Sequence, residues 1–130
     1  MIILFYGQPA SGKTTLANAV QRLMPQYNGS TVIKIDGDRW RDITQNKDYT
    51  KEGRLRNLKG AFDMALYLEK EGFTPILSFV TPYEELRQYL RERSELLEIY
   101  LEYSQDNKAP KLIPRLENLE NHYDFLLQMW

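Results

Sequence analysis

The chain contains no cysteine. That excludes a disulfide framework, a thiolate metal site and a cysteine nucleophile. It has a single histidine, His122, which stands beside Asn121 and Tyr123 and reads as a surface residue. No cluster of His, Asp and Glu has the spacing of a zinc site. An excess of one charge is missing too: 17 Lys and Arg stand against 18 Asp and Glu, for a formal net charge of -1. Such balance gives no support for strong attraction to nucleic acid, although a local basic pocket is compatible with it. Long apolar runs are also lacking. The opening MIILFY stops at Gly7, has no basic segment before it and is far too short to span a bilayer. The expectation is a cytoplasmic protein without a membrane partner.

What is present is 42% hydrophobic residues in 130, enough for one packed domain over 1–130 and too few residues for two ordinary ones. IILFY (2–6) is a continuous apolar run ending at a glycine, the pattern of a strand buried on both faces. A helical pattern follows from 13 to about 24, with Leu16, Ala19, Val20, Leu23 and Met24 on one side and Pro25 and YNGS closing it. TVIKID (31–36) predicts a second strand, then DGDRWRDI and a polar loop to about Thr50. A long helix to Gly72 carries Leu58, Phe62, Ala65, Leu66 and Leu68, with Gly72 beyond its end. TPILSFV (74–80) predicts a third strand. Thr81 and Glu84 have capping-box spacing with Pro82 between them, predicting a helix to about Arg93. LEIYLEY (97–103) reads as a strand, 112–121 as a short helix and YDFLLQM as a final strand. RERSELLE (91–98) reads as a charged helix end. Alternating strands and helices predict an α/β fold with a parallel sheet of about five strands.

One motif carries chemistry. GQPASGKTT (7–15) has GxxxxGK[ST] spacing after a strand and before a helix, the context a phosphate cradle requires. By accident the pattern should occur in roughly 0.4% of chains this long. Gly7 and Gly12 let backbone N–H groups turn toward phosphate oxygens, and Ala10, Ser11 and Thr15 complete the loop. Lys13 reaches the β- and γ-phosphates, and Thr14 offers a hydroxyl to Mg²⁺. ATP with Mg²⁺ is the expected ligand, and phosphoryl transfer or hydrolysis the expected reaction.

The acceptor side is sought at the carboxyl edge of the sheet, where DGDRWR follows the second strand. Asp38 could orient or deprotonate an acceptor hydroxyl, or hold Mg²⁺ through water; Asp36 could do the second. Arg41 could pair with an anionic acceptor. Trp40 either packs near that acceptor or plugs the sheet edge.

At this point the sequence resembles the adenylylsulfate kinase (APS kinase) family. That family's pattern runs from a P-loop to D-G-D-N-x-R, then F-S-x-x-D-R-x-x-N-I-R, then a strand leading into I-S-P-Y. Here Asp36-Gly37-Asp38-Arg39-Trp40-Arg41 is followed by the stretch from Tyr49 through Arg54 and Asn57 to Lys59, and later by Val80-Thr81-Pro82-Tyr83. The resemblance covers roughly 1–103. It implies a three-layer P-loop kinase fold and transfer of the ATP γ-phosphoryl to the 3′-hydroxyl of adenosine 5′-phosphosulfate. It also implies substrate-binding roles for Arg41, Arg54 and Asn57, a base-stacking role for Tyr49 and a place for Thr81 at the I-S-P-Y turn. Arg54 and Asn57, three apart on a helix, share a face. The partner is then a small nucleotide, with room for a homodimer. The chain departs from the pattern in having Gly53 for an aspartate and Arg39 for an asparagine. It also lacks the family's basic lid after LEIYLEY. Lys108, Lys111 and Arg115 are either a shortened lid or a solvated loop. A kinase of another nucleotide-linked or polynucleotide hydroxyl, and a nucleotide-binding module without catalysis, are the alternatives.

Overall fold

A computed structural model describes residues 1–7, 12–81, 83–103 and 110–114. The elements in chain order are β1 (Ile2–Gly7), α1 (Lys13–Leu23), β2 (Gln26–Tyr27), β3 (Ser30–Asp36) and α2 (Gly37–Thr44). They continue with α3 (Lys51–Lys70), β4 (Thr74–Phe79), α4 (Glu84–Arg91), β5 (Leu96–Tyr103) and β6 (Pro110–Pro114). The sheet order is β2-β3-β4-β1-β5-β6. β3, β4, β1 and β5 are parallel, while β2 and β6 add antiparallel edges.

The uninterrupted apolar run of β1 has its physical reason in this order. The strand is central, and Ile2, Ile3, Leu4 and Phe5 are fully buried. Strand alternation sends Ile3 and Phe5 to a core with Ala17, Val20 and Met24 of the α1 side, and Ile2 and Leu4 to a core with Phe62, Ala65 and Leu90 of α3 and α4. Three layers result: α1, the sheet, and α3 with α4. Each fully buried Leu, Ile or Phe adds about 1.5–3 kcal/mol relative to exposure.

Helix ends follow local chemistry. α3 starts where the Thr50 side chain accepts from Gly53 N–H at 3.1 Å. It ends in a Schellman arrangement: Gly72, at φ +97°, donates to the Glu69 carbonyl, and Phe73 N–H reaches the Leu68 carbonyl, both at 3.0 Å.

Several expectations need correction. The stretch YNGS closes α1 by forming a hairpin: Asn28 and Gly29, at φ 51° and 80°, form the two-residue turn between β2 and β3. DGDRWRDI is helical as α2, because the Asp36 side chain caps it by accepting from Arg39 N–H at 3.3 Å. On α1 the buried stripe is Lys13, Ala17, Val20 and Met24, and Leu23 is 69% exposed. Thr81 and Glu84 do not make a capping box. α4 starts at Glu84 behind Tyr83, with no side-chain cap, and ends at Arg91. Thr81 Oγ1 donates instead to the Phe79 carbonyl, and the Glu84 carboxylate is engaged by Arg87 and Arg91, each at 2.5 Å. The stretch 91–98 is not one charged helix end, since α4 stops at Arg91 and β5 starts at Leu96. Glu98 is 1% exposed on β5 and takes a two-pronged bond from Arg91, at 2.7 Å from both Nε and Nη2. Finally, 110–114 is strand, where a helix over 112–121 was expected. Pro114 disfavours helix at Ile113, and both bounding prolines suit an edge strand. The remainder of that helix, the final strand, Lys108, Arg115 and His122 lie outside the described residues.

Candidate active site

Strand tips and helix starts meet at the carboxyl edge of the sheet. β1 ends at Gly7, with φ +143°; a Cβ there would lie 2.2 Å from the Leu101 carbonyl oxygen, so only glycine lets the chain turn away beside β5. Gln8, Pro9, Ala10 and Ser11 lie outside the described residues. Gly12, at φ +92°, opens α1 without a capping side chain. That helix start, with its positive dipole end, lines a cavity of about 440 Å³ together with Lys13, Thr14 and Thr15.

Lys13 is 8% exposed. Burial pulls its pKa below the ordinary lysine value, and the nearby charges of Asp38, then Asp36, oppose that. Thr14 Oγ1 donates to Asp36 Oδ1 at 2.8 Å, while Asp36 Oδ2 caps α2. Asp36 is thus committed to aiming Thr14 and starting α2. Among the described residues, no group of three His, Cys, Asp or Glu is placed to hold a metal. Mg²⁺ in nucleotide sites takes only one or two carboxylates, the rest being phosphate oxygens and waters, so Thr14 and Asp36 suit it.

A second cavity, of about 310 Å³, is lined by Arg41, Tyr49, Arg54 and Asn57, the four residues expected on the acceptor side. The two cavities share Gly37, Asp38, Phe79 and Val80. Gly37 makes that wall thin: a Cβ there would lie 3.1 Å from the Phe79 ring and 3.2 Å from the Ser78 carbonyl oxygen.

The Arg41 guanidinium lies 4.9 Å from the Tyr49 ring centroid and donates to the Asn46 carbonyl at 3.2 Å. One face of Tyr49 is therefore occupied. The Arg54 side chain makes no hydrogen bond or ion pair among the described residues. Two guanidiniums and one carboxylate, Asp38, line this cavity, which favours an anionic occupant. Asn57 is 7% exposed, and its Oδ1 accepts from Thr44 Oγ1 at 3.3 Å. Trp40 donates to the Asn57 carbonyl at 3.0 Å, so it ties α2 to α3.

Thr81 is not brought to either cavity. It is 2% exposed, and its carbonyl accepts from the Arg87 guanidinium. Sequence reasoning missed Ser78, Phe79 and Val80. The signal was available: these residues end a buried strand at the sheet's carboxyl edge, and Ser78 is a polar interruption near the end of an apolar run.

Comparison with known proteins agrees with this geometry. The family described as adenylylsulphate kinase matches residues 1–111. A probable adenylyl-sulfate kinase of Aeropyrum pernix is 36% identical over 110 residues, covering 80% of this chain and 60% of that protein. The adenylyl-sulfate kinase of Halothermothrix orenii is 34% identical over 101 residues, covering 76% of this chain and 54% of that protein. The chain thus spans little more than half the length of these relatives. The structure of a Mycobacterium tuberculosis APS kinase in complex with AMPPNP and APS matches with a TM-score of 0.67 at 23% identity, over 76% of this chain and 60% of that one. That likeness shows the three-layer fold of P-loop kinases. Because the family match runs through β1, the cradle, both cavities and β5, this chain belongs to the adenylylsulphate kinase family.

Proposed function

We propose that this chain transfers the γ-phosphoryl group of ATP to the 3′-hydroxyl of adenosine 5′-phosphosulfate, or of a closely related anionic nucleotide. The observation that carries this reading is the shared wall. Asp38 lines both the cradle cavity and the cavity holding Arg41 and Arg54. A donor phosphate on one side and an acceptor hydroxyl on the other would meet at that residue.

Each side chain has a task in this reading. Lys13 holds the β- and γ-phosphates and stabilises charge on the transferring group. Thr14, oriented by Asp36, offers its oxygen to Mg²⁺. When bound, that ion neutralises charge on the phosphate oxygens. Asp38 accepts or orients the proton of the acceptor hydroxyl. Arg41 and Arg54 hold the acceptor's anionic group. Tyr49 offers its remaining face to a base. The relatives named above support the substrate class.

The test is transfer from radiolabelled ATP·Mg²⁺ to adenosine 5′-phosphosulfate, with AMP, ADP and adenosine as competing acceptors. Label should pass to the 3′ position of the phosphosulfate nucleotide in preference to adenosine. ATP binding with no transfer to any acceptor would instead make the chain a nucleotide-binding module.

A further inference from the structure

We propose that the Ser78 hydroxyl binds a water in the hydration shell of the nucleotide's Mg²⁺, beside Thr14 and Asp36; this rests on the nucleotide reading above. Ser78 lines the cradle cavity and is 3% exposed, and its Oγ is buried with no hydrogen-bond partner. A buried hydroxyl without a partner costs stability, so its retention in a cavity wall asks for a ligand.

The sheet register fixes where that hydroxyl lies. Ser78 is the register partner of Asp36 on β3 and of Phe5 on β1. Along β4, Ile76 packs in the core on the α1 side, while Leu77 packs in the core on the α3 side. Alternation therefore sends Ser78 to the α1 side. Along β3, Val32 packs on that same side, and Asp36 follows it by even steps. Asp36 and Ser78 are thus neighbours on adjacent strands, at the first turn of α1, where Thr14 donates to Asp36.

This set fits a small, hard cation that keeps several of its waters. The Thr14 proton is already directed to Asp36, which leaves the Thr14 oxygen lone pairs for the ion. A metal-bound water turns its hydrogens outward, and Ser78 Oγ would accept one of them. A carboxylate at position 78 would set a second negative charge next to Asp36; a hydroxyl supplies the acceptor without the repulsion.

The experiment compares wild type and Ser78→Ala by calorimetric titration with a non-hydrolysable ATP analogue, in EDTA and at rising Mg²⁺. Affinity in EDTA should be equal for the two proteins. The Mg²⁺ concentration that gives half the metal-dependent gain in affinity should rise about three- to ten-fold in Ser78→Ala, the scale of one hydrogen bond. Without ligands, the variant's Tm should match or exceed that of wild type, because an unpaired buried hydroxyl has been removed. An unchanged Mg²⁺ midpoint overturns this inference alone. An equal loss of affinity in EDTA also overturns it, since Ser78 would then touch the nucleotide itself. A wild-type protein that binds no nucleotide overturns this inference and the kinase reading together.

Discussion

Asp48 fills the space that a side chain at position 53 would need: a Cβ on Gly53 would lie 2.3 Å from Asp48 Cγ and 2.5 Å from its carbonyl oxygen. The Asp48 carboxylate accepts from Thr50 N–H at 3.0 Å and Thr50 Oγ1 at 2.6 Å, and pairs with Arg56 at 2.9 Å. The hydrogen bond from the Thr50 side chain leads the effects that hold its pKa below the ordinary carboxylate value. Thr50 in turn caps α3. The departure from the family's aspartate at position 53 thus coincides with a carboxylate delivered from the preceding loop.

That relationship gives a stability prediction. Replacing a helix glycine ordinarily gains up to about 1 kcal/mol. Gly53→Asp should instead cost about 1–3 kcal/mol through overpacking against Asp48. Adding Asp48→Gly should recover only the side-chain part of the loss, because the carbonyl oxygen of residue 48 stays 2.5 Å from the new Cβ; even that partial recovery is a non-additive result in a double-mutant cycle. Urea denaturation of the four proteins measures it, and a single Gly53→Asp variant as stable as wild type would refute the crowding.

Asp38 should matter for turnover more than for binding. Asp38→Asn should lower kcat on the order of 10²-fold or more, with a smaller change in KM for ATP. Asp36→Ala should act differently, costing about 1 kcal/mol of stability through its lost cap as well as weakening the Mg²⁺ response. Wild-type turnover by Asp38→Asn would leave Asp38 only the role of an acidic residue at the start of α2.

On the acceptor side, Arg54→Ala should raise KM for the acceptor and leave ATP affinity nearly unchanged. Arg41 and Tyr49 should not act independently, because the guanidinium rests on the ring. Acceptor KM values for the two alanine variants and their double variant should show a coupling of about 0.5–1 kcal/mol. Additive effects would mean that the stacked pair does not persist in solution.

Acid should destabilise the fold through Glu84. Its carboxyl is held down from 4.5 to about 2, first by its hydrogen bond from Arg91 and then by Arg87. The unfolded chain takes up this proton at higher pH than the folded protein does. The contribution is therefore fully present above about pH 4.5 and is lost as pH falls toward 2. Glu84→Gln should flatten the pH dependence of unfolding within that window. Because the side chain is half exposed, 53% by area, added salt should shrink the difference between the two proteins.

Much of the fold was legible because burial on both faces of β1 and β4 leaves unbroken apolar runs, and because glycines mark Gly7, Gly12 and Gly72. Arg41, Tyr49, Arg54 and Asn57, expected on the acceptor side, were legible through the family's motif spacing, and one cavity gathers them. What escaped depended on partners distant in sequence. Asp36 could cap α2 and hold Thr14 only once β3 and α1 were adjacent. Arg91 and Glu98 read only as part of a charged helix end because their pairing is fixed by the packing of α4 on β5. Thr81 and Glu84 had the spacing of a cap, but arginines on the following turns claimed the Glu84 carboxylate.

The pairing of Asp36 with Ser78 across β3 and β4 makes the chemistry of the edge hostage to the phase of the sheet. Side chains alternate with a period of two, so a one-residue slip of β3 against its own fold would turn Asp36 from the α1 side to the α3 side. Thr14 would lose its acceptor and α2 its cap in the same step. The residues that prevent this slip are apolar and lie away from the cradle: Val32, set opposite Thr74, and Ile76, set opposite Lys34 and Ile3. A single-residue insertion or deletion near Val32 would therefore take the Asp36 carboxylate away from Thr14 and from the start of α2 even if the core refilled and the chain stayed folded.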